Sequence, residues 1–395
     1  SSIQSCLSPP TEQLLARVPA VERDSFARDF RAARQEIDAG VVDSTAAERR
    51  KYWRHWCEYA GHLGICPFLH EKEVPWSLRV RALTGFASRV RTGHYGHKRA
   101  VRVQTVQVAL RAIGKTCEME RGYNPALRGP RQYLAPLEMQ MEGFRRTDPI
   151  PVPELAVPVA VAEWMGRYAR DATLPGERAK GDMGIIAFFY LLRVGEYTSS
   201  RTKGLRRTKQ FRTRDVSFFR DGEMLDPKAP LAELETATGA TLKLTNQKNG
   251  VRGSCVHHHA IRNRELCPVR ALARRVHHVY ANNGSGDDMV CTFFDHVGKG
   301  VVMDHDMNKL VKVAVADLKL EARGFPSTRV GTHSLRAGGA VALALSGQSP
   351  EMIKKIGRWS SDTFLMYVHE QIAHLTVGVA EGMAQTFPFS NVEGA

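Results

Sequence analysis

Apolar residues recur at helical spacing through the first third of the chain and alternate in short stretches further on. Between Ser44 and Gly61, the residues Tyr52, Trp53, Trp56, Tyr59 and Ala60 form one stripe, the three-and-four spacing of an amphipathic helix. Ser44 or Thr45 stands where a cap belongs. Such aromatics are expected in a core rather than as a stacking platform. The pattern predicts a second helix over about Ser77 to Thr92 and a third from near Gln104, carrying Val106, Val108, Leu110 and Ile113, that ends at Tyr123-Asn124-Pro125. The glycine-rich stretch Gly93–Lys98 reads as the turn between them. Further along come a helix near Ala160–Arg170 and a buried helix from Gly184 to Val194. Strand signals follow at Val216–Phe219, Thr241–Leu244 and Cys255–His257. The turn Gln247-Lys248-Asn249-Gly250 joins the last two as a hairpin. Cys267-Pro268 opens another helix through Tyr280, Asn282–Gly286 is a loop, and Asn308–Arg323 is helical. The fold class expected is mainly α with a small antiparallel sheet.

Length and punctuation divide this pattern. A chain of 395 residues holds two or three cores. Pro149, Pro151 and Pro153 alternate, giving an extended, semi-rigid connector. The expected organisation is an N-terminal arm (1–43), a helical domain (44–147), a proline-rich linker (148–158), an α+β domain (159–376) and a C-terminal tail (377–395). Ser1-Ser2-Ile3-Gln4 shows neither an initiator methionine nor a signal-peptide pattern, so a fragment or processed product is expected. No apolar run is long enough to span a bilayer.

Charge narrows the choice of partner. The net charge of +15 favours a polyanion, and its distribution says more than its size. Between Arg79 and Arg131 lie Arg81, Arg89, Arg91, Lys98, Arg99, Arg102, Arg111, Lys115, Arg121 and Arg128, opposed by Glu118 and Glu120 alone. On amphipathic helices such a series suits contact with DNA phosphates; Arg89, Arg91, Lys98, Arg99, Arg102, Arg111 and Lys115 are the candidates. A second basic run spans Arg201 to Arg214. The seven cysteines (Cys6, Cys57, Cys66, Cys117, Cys255, Cys267, Cys291) are an odd, scattered set without a CxxC, as in reduced intracellular proteins. His257-His258-His259 sits in strand-like sequence where neighbours face opposite ways. It is read as ordinary surface and no metal site is assigned.

The chemistry gathers near the C-terminus. His333 and Arg336, spaced i, i+3, share one face of a helix and together suit a phosphate. After them come Gly347-Gln348-Ser349-Pro350, Ile353-Lys354-Lys355-Ile356-Gly357-Arg358-Trp359-Ser360-Ser361-Asp362, and Tyr367-Val368-His369. Earlier lie Leu192-Arg193-Val194-Gly195-Glu196 and the hairpin Lys248. A tyrosine against such a grip is placed to attack phosphorus and become covalently attached. Arg193 and Arg336 would neutralise the non-bridging oxygens, Lys248 would protonate the leaving oxygen, and His333 would donate to the phosphate or move the tyrosine proton. Each residue alone has a plainer explanation. Arg193 at the end of an apolar helix would complement the helix dipole, Lys248 would be a solvated turn residue, and Trp359 and Tyr367 would be packing. The ordered set carries the argument.

That ordered set resembles the tyrosine recombinases of the phage-integrase family. Leu192–Glu196 looks like the family's first-arginine motif, Lys248 its hairpin lysine, His333 with Arg336 its second box, and Tyr367-Val368-His369 its nucleophile box. The Thr105–Ile113 helix resembles part of its core-binding domain. The resemblance implies a helical core-binding domain, an α+β catalytic domain, a 3′-phosphotyrosine intermediate, double-stranded DNA as partner, a homo-multimer on DNA, and no cofactor. One position departs: where the family carries Gly-His or Gly-Trp, this chain has Arg358, with Trp359 beside it, and either residue is a candidate for that role. The Gly-Arg-Trp-Ser-Ser-Asp form is similar to recombinases of eukaryotic mobile elements, Crypton-like or retroelement-borne, which would place the protein in the nucleus; otherwise the cytoplasm is expected. Two further readings stay open: relaxation of supercoils by type IB topoisomerase chemistry, and a catalytically silent DNA-binding protein.

Overall fold

A computed structural model describes residues 14–41, 43–96, 99–150, 152, 154–200, 210–245 and 253–365. The chain divides into two compact units at residue 151.

The first unit is helical. Its helices run Arg23–Ala39, Asp43–His62, Trp76–Arg91, Val103–Arg121 and Ala135–Thr147. The aromatic stripe is core: Tyr52, Trp56 and Ala60 are buried with Leu83, Phe86, Val106, Leu110 and Ile113, while Trp53 and Tyr59 pack at the margin. Trp56 donates its indole N–H to the Pro67 carbonyl (2.7 Å), which removes the polar cost of burying it. The Val103–Arg121 helix stops at Gly122, whose φ of 77° closes it in the left-handed conformation that glycine tolerates best. The stop was expected slightly later, at Tyr123-Asn124-Pro125; glycine at the C-terminal cap wins. A short antiparallel pair, β1 (Leu127–Gly129) and β2 (Gln132–Tyr133), lies in a stretch expected to be helical. It is too short for alternation to reveal.

Asp148 ties three helix ends of this unit together. Its Oδ2 accepts the Val103 N–H (3.0 Å) at the start of one helix. Its Oδ1 pairs with Arg91, whose guanidinium also reaches the Val101 and Phe144 carbonyls and lies 5.2 Å from the centre of the Phe144 ring.

The second unit joins helices to antiparallel strands. Helices Val159–Asp171 and Pro175–Phe189 pack together, and helices Pro268–Ala281, Asp304–Asp317 and Thr332–Leu345 contact the second of them. The four-stranded sheet has the order β4 (Glu223–Leu225), β3 (Val216–Arg220), β5 (Gly239–Leu244), β6 (Ser254–His259). A separate pair comprises β7 (Thr292–Asp295) and β8 (Gly298–Val301). Pairing of Leu242 with Val256 and of Ala240 with His258 turns Val216, Phe218, Ala240, Leu242 and Val256 to the core, the period of two that a half-buried sheet requires. The fold class is thus mainly α with small antiparallel sheets.

Three boundaries differ from expectation. The apolar helix begins at Pro175 and stops at Phe189, because Leu191 takes a left-handed backbone (φ 49°) and Arg193 heads a new short helix, Val194–Tyr197. The helix expected over Asn308–Arg323 starts at Asp304 and gives way to a 3-10 turn over Leu320–Arg323. Within the expected linker, Leu155, Ala156 and Val157 are core residues. The Leu155 N–H bonds the Arg329 carbonyl (2.8 Å) and the Val157 N–H that of Ser334 (3.2 Å). Composition marks a connector, but apolar side chains just past the prolines find a core to join.

Candidate functional site

The site begins with two glycines. On the Thr332–Leu345 helix, a Cβ at Gly338 would collide with the Val157 carbonyl, and one at Gly339 with the Phe188 carbonyl and the Leu191 side chain. Their absence lets the helix lie directly against the 188–191 turn. Ser334 secures its start, accepting the Gly331 N–H at 3.0 Å. One turn on, Arg336 is buried, 1% exposed. It donates Nη1 to the Leu191 carbonyl (2.6 Å) and Nη2 to the Gly357 carbonyl (2.5 Å).

The left-handed turn at Leu191 presents that carbonyl to a second guanidinium. Arg358 Nη2 donates to it at 2.8 Å and to Glu196 Oε2 at 3.0 Å. Glu196 is fully buried and serves two cations, since Arg193 Nη1 meets its Oε1 at 3.1 Å. Its Oε2 also accepts the Arg193 backbone N–H (2.8 Å). One carbonyl and one carboxylate therefore gather Arg193, Arg336 and Arg358 from three segments of the chain. Glu196 is the carboxylate that two of the three guanidiniums share. Burial and the Arg193 charge depress the Arg358 pKa while Glu196 opposes them, burial being the largest influence.

Trp359 and His333 complete the surroundings. The Arg336 guanidinium lies 4.4 Å from the centre of the Trp359 ring, a cation–π contact, and Trp359 packs on Phe364 with ring centres 5.7 Å apart. His333 lies at the surface, yet the packing round its ring, followed by the charges of Arg336 and Arg193, holds its pKa below the usual imidazole value. It is therefore largely neutral at pH 7.

Arg193, His333, Arg336, Arg358 and Trp359 are thus described in this structure; Lys248 and Tyr367 lie outside the described residues. One local reading changes. Arg193 precedes a helix and pairs with Glu196, so it does not complement the end of the preceding one. Arg358 takes the left-handed position that closes the Pro350–Gly357 helix (φ 57°). Sequence reasoning missed the joint role of Glu196. Its position three residues after Arg193 was the available signal.

In the first unit the basic candidates separate. Arg89, Arg99, Arg102, Arg111 and Lys115 are exposed. Arg91 is not available as a surface cation, because Asp148 and the Val101 carbonyl hold it; it sits at a helix end where an acid already waits. Lys98 lies outside the described residues. From the second basic run, Arg212 and Arg214 share Asp287. The three histidines behave as a strand should. His258 faces the core and its Nε2 bonds the Phe189 carbonyl (2.8 Å), while His257 meets the Thr241 hydroxyl (2.8 Å). Among the described residues no group of His, Cys, Asp or Glu is arranged to hold a metal, and no helix is long and apolar enough to cross a membrane.

No protein-family model matches this chain, and no curated protein does. Solved structures similar to it include the Tn1549 transposon integrase in complex with transposon right-end DNA, with TM-score 0.49 and 14% identity over 89% of this chain and 96% of that one. The XerH site-specific recombinase bound to difH substrate gives TM-score 0.44 and 12% identity over 79% and 72%. XerA recombinase gives TM-score 0.33 and 13% identity over 87% and 100%.

Proposed function

We propose that the chain is a tyrosine recombinase, a site-specific enzyme that cleaves and rejoins duplex DNA through a covalent 3′-phosphotyrosine. The observation that carries the reading is the gathering of Arg193, Arg336 and Arg358 on the Leu191 carbonyl and Glu196, with Arg336 one helical turn from His333. Guanidiniums gathered from three segments suit a phosphodiester whose charge grows in the transition state. In this reading the Tyr367 oxygen attacks phosphorus and the bond to the 5′-oxygen breaks. Lys248 protonates that oxygen, and the phenol proton passes to neutral His333 or to water. The link conserves bond energy, so the reverse step reseals the strand without a nucleotide cofactor.

The exposed Arg89, Arg99, Arg102, Arg111 and Lys115 would contact the DNA backbone in a sequence-independent way. Joining two duplexes calls for a homo-multimer on DNA. The Gly357-Arg358-Trp359-Ser360 form supports a place among recombinases of eukaryotic mobile elements, and with it the nucleus. The test is incubation with a suicide DNA substrate. A covalent protein–DNA band is expected, persisting in EDTA and lost in Tyr367→Phe while DNA binding is retained. An undiminished band in that variant refutes the nucleophile, and no band with the unaltered protein on its cognate site refutes the reading.

A further inference from the structure

We infer that His258 is a positioning residue for the arginine cluster, holding the turn at 189–191 in the shape that lets the Leu191 carbonyl receive Arg336 and Arg358. The inference rests on the recombinase reading for the reaction it would affect, and on packing alone for the hold itself.

A helix leaves its last carbonyls without partners inside it, and the end of the Pro175–Phe189 helix brings them to the cluster. The Ile186 and Ala187 carbonyls accept the Tyr190 and Leu192 N–H groups, each at 3.0 Å. The Phe189 carbonyl meets His258 Nε2 at 2.8 Å, and the Leu191 carbonyl receives the two guanidiniums. A carbonyl only accepts, so Nε2 carries the proton and the imidazole donates. Tyr190, between those two carbonyls, is clamped as well. Its hydroxyl donates to the Ala240 carbonyl of β5 (3.1 Å), and its ring meets the His258 ring edge to face, with centres 4.7 Å apart. Ala240 and His258 are register partners across β5 and β6. One rung of the sheet therefore grips two adjacent residues of the turn through two directional bonds. Leu191 follows at once with its left-handed backbone (φ 49°).

Residue type points the same way. The core-facing positions of these strands carry Ala240, Leu242 and Val256, and an aliphatic side chain at 258 would pack there without the cost of burying a polar ring. The bond to the turn accounts for a histidine. Burial above all lowers its pKa to about 4, so at pH 7 it donates without bringing a further charge to the turn that two guanidiniums share.

The experiment reads the turn and the chemistry separately in the full chain. In His258→Leu, which removes the donor, hydrogen exchange of a peptide spanning 186–194 should quicken about tenfold, as for the loss of one hydrogen bond. In His258→Gln, whose amide nitrogen offers the same donor, exchange should stay near the wild type. Adduct formation on a suicide DNA substrate, at saturating DNA, should fall about ten- to a hundredfold in His258→Leu and recover in His258→Gln, with DNA affinity unchanged in both. Because the effect passes through Arg336, the same substitution in an Arg336→Ala background should cost little more. If His258→Leu does not fold, His258→Asn, whose amide is too short to reach the carbonyl, takes its place with the same expectations. Unchanged exchange at 186–194, a full additional loss in the Arg336→Ala background, or a His258→Gln variant as slow as His258→Leu overturns the inference. Quickened exchange in a protein that forms no adduct even as wild type sinks the recombinase reading and leaves the hold on the turn standing.

Discussion

The two units use arginine in opposite ways. On the first, Arg89, Arg99, Arg102 and Arg111 stand exposed, and water screens them. In the second, Arg193, Arg336 and Arg358 share a carbonyl and a carboxylate, with Arg336 and Arg358 buried and Arg193 half-buried. Exposed cations give affinity that salt erodes and tolerate loss one at a time. Buried cations that share acceptors are coupled, and the loss of one group disturbs all. Net charge does not distinguish the two arrangements; burial does.

The contrast breaks most sharply at Glu196. Glu196→Gln should destabilise the second unit by about 3–5 kcal/mol, the usual cost of stranding a buried ion-pair partner, and abolish adduct formation. A melting temperature within error of the wild type would show that the cluster does not need its acid. Next, Arg336→Ala and Arg193→Ala should each slow cleavage about a hundred- to thousandfold, read as initial adduct rates. Near-wild-type rates in both would place the phosphate grip elsewhere.

A pH experiment sharpens the same point at His258, buried under Phe189. Burial, with its histidine neighbours adding to it, depresses its pKa to about 4, while the Phe189 carbonyl partly opposes. An unfolded histidine takes up its proton near pH 6.5, so the unfolded state binds the proton first as pH falls. Stability is intact above about 6.5 and declines towards pH 4, by about 3 kcal/mol from this residue at most. Urea melts across that window should be steeper in pH for the wild type than for His258→Gln. Equal slopes would remove His258 from the account.

The smallest effects belong to the first unit. Reversing Arg99 and Arg102 to Glu should weaken DNA binding and lower the slope of log affinity against log salt by about one per lost phosphate contact. An unchanged slope would move the DNA footprint to another face. Lys115, paired in the open with Glu118, should cost folding less than about 1 kcal/mol when changed to Ala. By contrast Arg91→Ala should destabilise the unit without a matching change in salt slope, because Asp148 already holds that guanidinium.

Much of this was legible in the sequence. Periodicity placed the aromatic stripe of Asp43–His62 and the strands β3, β5 and β6, because spacing reports which face is buried wherever elements are regular. The spacing of His333 and Arg336 put both on one helix for the same reason. Tertiary structure alone decided the rest. That Arg91 turns to Asp148 depends on a residue 57 positions away, and no local pattern encodes such a meeting. The left-handed turns at Leu191 and Arg358 occur at residues with no intrinsic preference for them, so the pattern predicted a helix through the first and gave no sign of the second. Residues far apart in sequence, Leu191 and Glu196 on one side and Arg336 and Arg358 on the other, become one charged cluster because Gly338 and Gly339 allow two backbones to touch. Sequence determined which residues could do the chemistry, since residue type and spacing are local properties. The fold decided which of them share an acceptor, since burial and electrostatics depend on what packs nearby.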